Sequence, residues 1–247
     1  MSRNPDRREF LTSGLVATVA AMTVAPIANR TTMAQDSPGG KTPQTPKGEV
    51  SMSAPASHYE VPTVYFTKPG PSNTATVIEC VRRRAAQANI ESVLVASVSG
   101  QTALKAREAL EPRTKIVAVS HVAGFAKPNH QEMPPEVRQE LISKGVPVIT
   151  AAHAFGAVGR GIRNKLGSYQ VDEIIAYTLR LFGQGTKVAI EIALMATDAG
   201  LIRTDQDIIS VGGTSKGVDT ALVLQPANSA NFLSLVVKEI ICKPAWL

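Results

Sequence analysis

The stretch at residues 92–110, SVLVASVSGQTALKAREAL, decides the fold of this chain. Its apolar start at residues 93–96 predicts a buried strand, and the spacing of alanine and leucine over residues 103–110 predicts a helix. Between them lies a short turn rich in hydroxyl groups, Ser97-Val98-Ser99-Gly100-Gln101-Thr102. A strand that leads through a tight turn into a helix is the repeating unit of α/β proteins.

The same turn predicts a phosphate site. Backbone N–H groups and the positive end of the helix dipole point out of such a turn, and the serine and threonine hydroxyls add further donors for an anion. The alternative is an ordinary strand-to-helix turn in which Ser99 or Thr102 caps the helix. The residues of the turn do not by themselves decide between the two.

The strand–turn–helix pattern recurs along the chain. The pattern predicts further strands at 64–66, 115–120, 146–150, 207–211 and 220–225. It predicts helices after Asn73, from Pro134, at 171–182 and at 186–199. Residues 232–243 fit either a helix or a strand. Alternating strands and helices predict a three-layer α/β/α sandwich with a mostly parallel sheet. Ligands bind at the carboxyl edge of such sheets, and four polar or glycine-rich turns are expected there: 67–74, 97–102, 121–125 and 153–161.

The first sixty residues differ in composition from the rest. Arg7 and Arg8 precede a weakly apolar stretch, so residues 1–34 are predicted to be a twin-arginine signal peptide. Residues 35–60 are rich in Pro, Ser and Thr and predict a disordered linker. The folded domain is therefore expected at 61–247. The export partner is the twin-arginine translocase, and the expected location is the periplasm or cell envelope.

Composition argues against several other functions. The chain has 26 basic and 20 acidic residues, and only 4% of its residues are aromatic. No run of lysine and arginine is interleaved with aromatic residues, so no nucleic-acid partner is expected. Its four histidines are scattered, and no metal site is expected. A disulfide between Cys80 and Cys242 is conceivable in an oxidising compartment but not required. A homo-oligomer is left open.

Several motifs resemble a known family. The run at 93–103, VLVASVSGQTA, is similar to the strand, S-G-x-T-A turn and helix of the pyruvate kinase carboxyl-terminal α/β domain, in which this turn holds the phosphate of an allosteric sugar phosphate. Over residues 62–244 the chain resembles more closely the stand-alone proteins built on that domain. The matching segments are YFTKPG at 65–70, MPPEV at 133–137, VAIEI at 188–192 and GGTSKGVDTA at 212–221.

The resemblance implies a ligand rather than a reaction, and that ligand is flavin mononucleotide (FMN) or another small phosphorylated molecule. Two functions follow: a flavin- or phosphate-binding module, and a flavin-dependent oxidoreductase of the cell envelope. Glu191 is either an ion-pair partner of Lys187 or a buried carboxylate facing the ligand, and Lys216 and Asp219 either approach the ligand or shape a hairpin. The residues expected to bind the ligand are Thr67, Lys68, Asn73, Ser97, Ser99, Gly100, Gln101, Thr102, His121, His153, Glu191, Gly212, Gly213 and Lys216.

Overall fold

The computed structural model describes residues 57–245, which form a seven-stranded mixed sheet. In chain order the strands are β1 (Val64–Phe66), β2 (Ser92–Ala96), β3 (Lys115–Ser120), β4 (Val148–Thr150), β5 (Ile208–Gly212), β6 (Thr220–Gln225) and β7 (Val236–Pro244). Their order across the sheet is β1-β7-β6-β5-β2-β3-β4. Strands β5, β2, β3 and β4 run parallel to one another, whereas β6 is antiparallel to both of its neighbours.

Within residues 57–245, six α-helices cover the two faces of the sheet. They are α1 (Thr74–Ala88), α2 (Gln101–Ala109), α3 (Pro135–Ser143), α4 (Val158–Leu166), α5 (Val171–Arg180) and α6 (Gln184–Asp198). Successive residues of β2 point to opposite faces, so Val93 and Val95 join the core under α1 to α3, and Leu94 joins the core under α5 and α6. The three-layer α/β/α architecture with a mostly parallel sheet is thereby confirmed.

Helix α6 packs unusually close to the centre of the sheet. A Cβ atom built on Gly212 of β5 would lie 2.3 Å from the Gly185 carbonyl oxygen and 2.9 Å from the Ala189 nitrogen, both backbone atoms of α6. Nearly every residue of α6 is buried, as its apolar composition predicts. Gly212 is therefore required for helix packing.

Several predicted boundaries change in the structure. The ambiguous segment at 232–243 contains the end of a 3₁₀ turn (Ser229–Ser234) and most of strand β7. The glycine-rich loop predicted at 153–161 ends early because α4 begins at Val158, and the strand predicted from residue 146 begins only at Val148. The predicted signal peptide and the first part of the predicted linker, up to residue 56, lie outside the described residues.

Within residues 57–245, none of the helices combines the length and the apolar composition needed to cross a membrane.

Candidate functional site

A cavity of about 780 Å³ opens where β2 and β3 end, between the first turns of α2 and α6. The hairpin between β5 and β6 closes another side of it. Ligand cavities in open α/β sheets occur at this carboxyl edge, so the position is the one that the sequence predicts. The predicted residues that line the cavity are Ser97, Ser99, Gln101, Thr102, His121, His153, Glu191, Gly213 and Lys216.

The start of α2 offers unused hydrogen-bond donors to this cavity. Ala103 N–H donates to the buried Ser97 Oγ at 3.2 Å, and Leu104 N–H donates to the Gly100 carbonyl at 3.1 Å. Within the described part of the chain, the N–H groups of Gln101 and Thr102 have no acceptor. Two free N–H groups at the positive end of a helix favour an anion.

Gly100 lies in this turn but does not line the cavity. Its φ is +85°, and a Cβ atom there would lie 2.3 Å from Cγ1 of Val137 in α3. The glycine is therefore needed for the left-handed backbone and for the approach of α3. A substitution at Gly100 would therefore report on folding and not on ligand binding.

The turn before α1 reaches the cavity through residues other than the predicted ones. Thr67, Lys68 and Asn73 do not line the cavity, and the Asn73 side-chain amide instead donates to the Lys68 carbonyl at 2.7 Å. The same turn reaches the cavity through Pro71 and Thr74.

The β5–β6 hairpin is organised by Asp219, whose side chain is fully buried. Its Oδ2 accepts hydrogen bonds from Gly70 N–H at 2.9 Å, from Thr214 N–H at 3.2 Å and from the Thr214 hydroxyl at 2.6 Å. Its Oδ1 accepts from the Thr220 hydroxyl at 3.0 Å. Asp219 therefore shapes the hairpin, which places Gly213 and the exposed Lys216 at the cavity, while Gly212 stays beneath α6.

Three rings form one wall of the cavity. The centroids of His121 and Phe125 lie 4.1 Å apart, and those of Phe125 and His153 lie 5.1 Å apart. His121 Nδ1 lies 2.7 Å from Oε2 of Glu132. Burial lowers the pKa of His153, and the positive charges of Lys187 and Arg160 lower it further, although Glu191 acts in the opposite direction. The wall thus presents flat apolar surface with polar edges.

The charge lining the cavity is mainly positive. Five basic side chains face two carboxylates, those of Glu132 and Glu191. The basic residues come from five different elements: Lys105 from α2, Arg160 from α4, Arg180 from α5, Lys187 from α6 and Lys216 from the hairpin. Such a surplus attracts anions to a cleft.

Lys187 and Glu191 form a buried ion pair one helical turn apart in the first half of α6. Lys187 is 4% exposed and Glu191 is 3% exposed, yet both line the cavity. Glu191 Oε1 also accepts the Phe155 N–H at 2.9 Å. Glu191 is therefore an ion-pair partner of Lys187 and also a buried carboxylate that lines the cavity.

The two cysteines lie in the core, away from the cavity. Cys80 and Cys242 are free and buried, and burial raises the pKa of the Cys242 thiol to about 12. A thiol with so high a pKa is a poor nucleophile. Among residues 57–245 no group of His, Cys, Asp or Glu is arranged to hold a metal ion.

The family model that describes the pyruvate kinase alpha/beta domain matches residues 75–224, which is more than half of the chain. The chain belongs to this family. All of α2 falls inside the matched part of the pyruvate kinase alpha/beta domain, as do Lys187, Glu191 and the β5–β6 hairpin except its last residue.

Solved structures similar to this pyruvate kinase alpha/beta domain include pyruvate kinases from Cryptosporidium parvum. One is 18% identical with a TM-score of 0.34 and aligns with 65% of this chain and 24% of its own. Another, in complex with ADP, is 18% identical with a TM-score of 0.32 and aligns with 70% of this chain and 25% of its own. This chain thus spans about a quarter of the length of those enzymes.

Sequence reasoning missed several cavity residues of the domain. Arg160 and Arg180 lie on the outer helices α4 and α5, and their approach to the cavity depends on how those helices pack. Lys105 had a local signal, since it lies one helical turn after Gln101 and therefore on the same side of α2. The sequence signal for Phe125 was weaker, because only its position in the turn at 121–125, expected at the carboxyl edge, pointed to the cavity.

Proposed function

We propose that this domain binds a small phosphorylated ligand, with FMN as the candidate, and that the phosphate lies at the start of α2. The observation that carries the proposal is the pair of free N–H groups of Gln101 and Thr102, which open onto a cavity with a surplus of positive charge. The hydroxyls of Ser99 and Thr102 supply further donors.

Size and shape agree with a flavin. A volume of about 780 Å³ lies within the range of small-molecule sites, roughly 300 to 1,000 Å³. The wall of His121, Phe125 and His153 offers ring surfaces against which a planar heterocycle could stack. These residues fit a molecule with an anionic end and a flat aromatic end.

We further propose that the protein is exported by the twin-arginine pathway and works in the periplasm or cell envelope. The support is the arginine pair at positions 7 and 8, followed by a weakly apolar stretch and a Pro- and Ser-rich segment. Since that pathway carries folded proteins, a ligand bound before export would be carried with the domain.

The test compares FMN with riboflavin, which lacks the phosphate, by quenching of flavin fluorescence. Wild-type protein should bind FMN at least about tenfold more tightly, because charge-assisted hydrogen bonds contribute about 1.5 to 3 kcal/mol each. The double variant Ser99→Ala/Lys105→Met should lose most of that preference. Lys165→Met is the matched control, since Lys165 is an exposed lysine on α4 that does not line the cavity.

Equal affinity for FMN and riboflavin, or an unchanged preference in the double variant, would refute the phosphate assignment. Turnover of bound flavin by a nicotinamide donor would extend the function from a binding module to an oxidoreductase.

A further inference from the structure

We infer that Lys187 forms an imine with the carbonyl group of a phosphorylated aldehyde or ketone bound in this cavity. The inference rests on the proposed phosphate position at α2 and adds a covalent step and a ligand class to it. It starts from a feature that phosphate binding leaves unexplained, the buried Lys187–Glu191 pair.

Packing does not account for this pair. The other residues of α6 that face the sheet are apolar, among them Ala189, Ile192 and Ala193. A buried ion pair adds little stability compared with apolar residues of the same size, because both charges lose their hydration. If the pair were replaced, the Phe155 N–H would still need the acceptor that Glu191 now supplies, but a glutamine at position 191 could provide it. The lysine therefore calls for a chemical explanation.

The surroundings of Lys187 make its ammonium group easier to deprotonate than that of an exposed lysine. Burial lowers the pKa of the Lys187 ammonium, and the charges of Arg180 and Arg160 lower it further, while Glu191 raises it; the net change is downward. The other titratable group near this pair is His153, whose own pKa is lowered mainly by burial. An amine must lose its proton before it can act as a nucleophile.

Glu191 is placed to move the proton that the reaction requires. Its Oε2 contacts Lys187 Nζ directly, so it can take a proton from the ammonium and leave the free amine. The amine nitrogen then bonds to the carbonyl carbon, and Glu191 returns the first proton to the oxygen. Glu191 next takes a second proton from the nitrogen and delivers it to the resulting hydroxyl group, which leaves as water. The products are a protonated imine on Lys187, one water molecule and a glutamate in its original charge state, so no oxidant or reductant is consumed.

The phosphate site gives the step its specificity. The start of α2, Lys187 and Glu191 line one cavity, so a ligand held by its phosphate at Gln101 and Thr102 remains in the same space as the amine. Holding two reacting groups in one site replaces a bimolecular encounter with an intramolecular one. An aldehyde without phosphate would lose that advantage.

The experiment uses pyridoxal 5′-phosphate as the probe, with borohydride to reduce any imine to a stable amine and peptide mass mapping to locate it. In wild-type protein we expect Lys187 to be labelled at least tenfold more than Lys238, an exposed lysine paired with Asp207. Pyridoxal, which lacks phosphate, should label Lys187 at least tenfold less. Lys187→Arg keeps the positive charge beside Glu191 and should abolish the label, whereas Lys238→Arg should not change it.

Any of four results would overturn the inference. One is label confined to the exposed Lys105 or Lys216, and another is label spread over surface lysines with none at Lys187. The third is equal labelling of Lys187 by pyridoxal and by its phosphate, which would also refute phosphate recognition. If the probe displaces FMN without labelling Lys187, the imine is refuted and the phosphate site stands. Mapping the wild-type protein keeps the test valid even if Lys187→Arg fails to fold.

Discussion

Asp219 shows how much of the site depends on one carboxylate that the ligand need not touch. Its two oxygens accept four hydrogen bonds, and these connect the turn before α1, through Gly70, with the β5–β6 hairpin, through Thr214 and Thr220. No lysine or arginine pairs with it within the described range. Its charge is therefore balanced by hydrogen-bond donors alone.

Replacing Asp219 by asparagine should destabilise the domain by about 2 to 3 kcal/mol, because the new amide group would face donors where an acceptor is needed. Urea unfolding measures the change. Asp205→Asn is the control, since Asp205 is exposed and pairs only with Arg203. Equal effects of the two substitutions would mean that the buried hydrogen bonds of Asp219 contribute nothing beyond a surface charge.

His153 should make stability depend on pH. Its pKa in the folded state is lowered, mainly by burial, so the unfolded chain binds a proton at this site more readily. Stability is therefore lost as pH falls through the ordinary histidine pKa, about 6.5, and the loss levels off below the folded-state pKa.

Unfolding of wild-type protein and of His153→Gln, compared at pH 7.5 and 5.0, measures this contribution. Wild-type protein should lose more stability on acidification than the variant does. The opposite order would show that Glu191, and not burial, controls this histidine.

At the scale of elements, the contact between α6 and β5 depends on the absence of a side chain at Gly212. The atoms that a Cβ would meet are backbone atoms of α6, which cannot rotate away as a side chain could. A helix forced outward there would also carry Lys187 and Glu191 away from the cavity.

Gly212→Ala should therefore destabilise the domain strongly, by about 3 kcal/mol or more as overpacked cores do, and should weaken FMN binding. Gly161→Ala is the matched control, because Gly161 lies in α4 with no atom within 4 Å of an added Cβ. That change should stabilise by about 0.5 to 1 kcal/mol through helix propensity. Thermal unfolding of both variants measures the contrast, and similar melting temperatures would contradict the packing argument.

The elements were predictable where local pattern decides structure. Residues 92–110 contain a strand, a turn and a helix start in one continuous segment, and the structure reproduces all three. Strand β7 was not predictable, because its nine residues acquire strand structure by pairing with the preceding strand β6 and with β1, which lies far away in sequence. The turn that contains Thr67, Lys68 and Asn73 likewise lies at the expected edge. Its orientation is set by hydrogen bonds from Asn73 to the Lys68 carbonyl and from Gly70 to Asp219, and the spacing of residues does not reveal these bonds.

At the scale of the whole molecule, the proposed export depends on two residues near the start of the sequence. Replacing Arg7 and Arg8 by lysine should abolish export, because the twin-arginine pair is what the translocase recognises. Fractionation of cells that express the double variant measures this, with Arg3→Lys as a control that keeps the pair intact. Wild-type amounts of the double variant in the envelope would refute the signal assignment.

The pairing of β1 with β7 has a consequence for how the protein is made. Val64 lies opposite Cys242 in a parallel pair, and Ala245 N–H donates to the Phe66 carbonyl at 2.9 Å. Strand β1, which is early in the sequence, therefore pairs with β7, which is late in the sequence. A ribosome releases the chain from its amino end, and β1 therefore has no partner until β7 has emerged from the exit tunnel. Contacts so distant in sequence form late in folding. The sheet is completed only once its last strand has been made, and a translocase that accepts only folded cargo would have to wait for that strand.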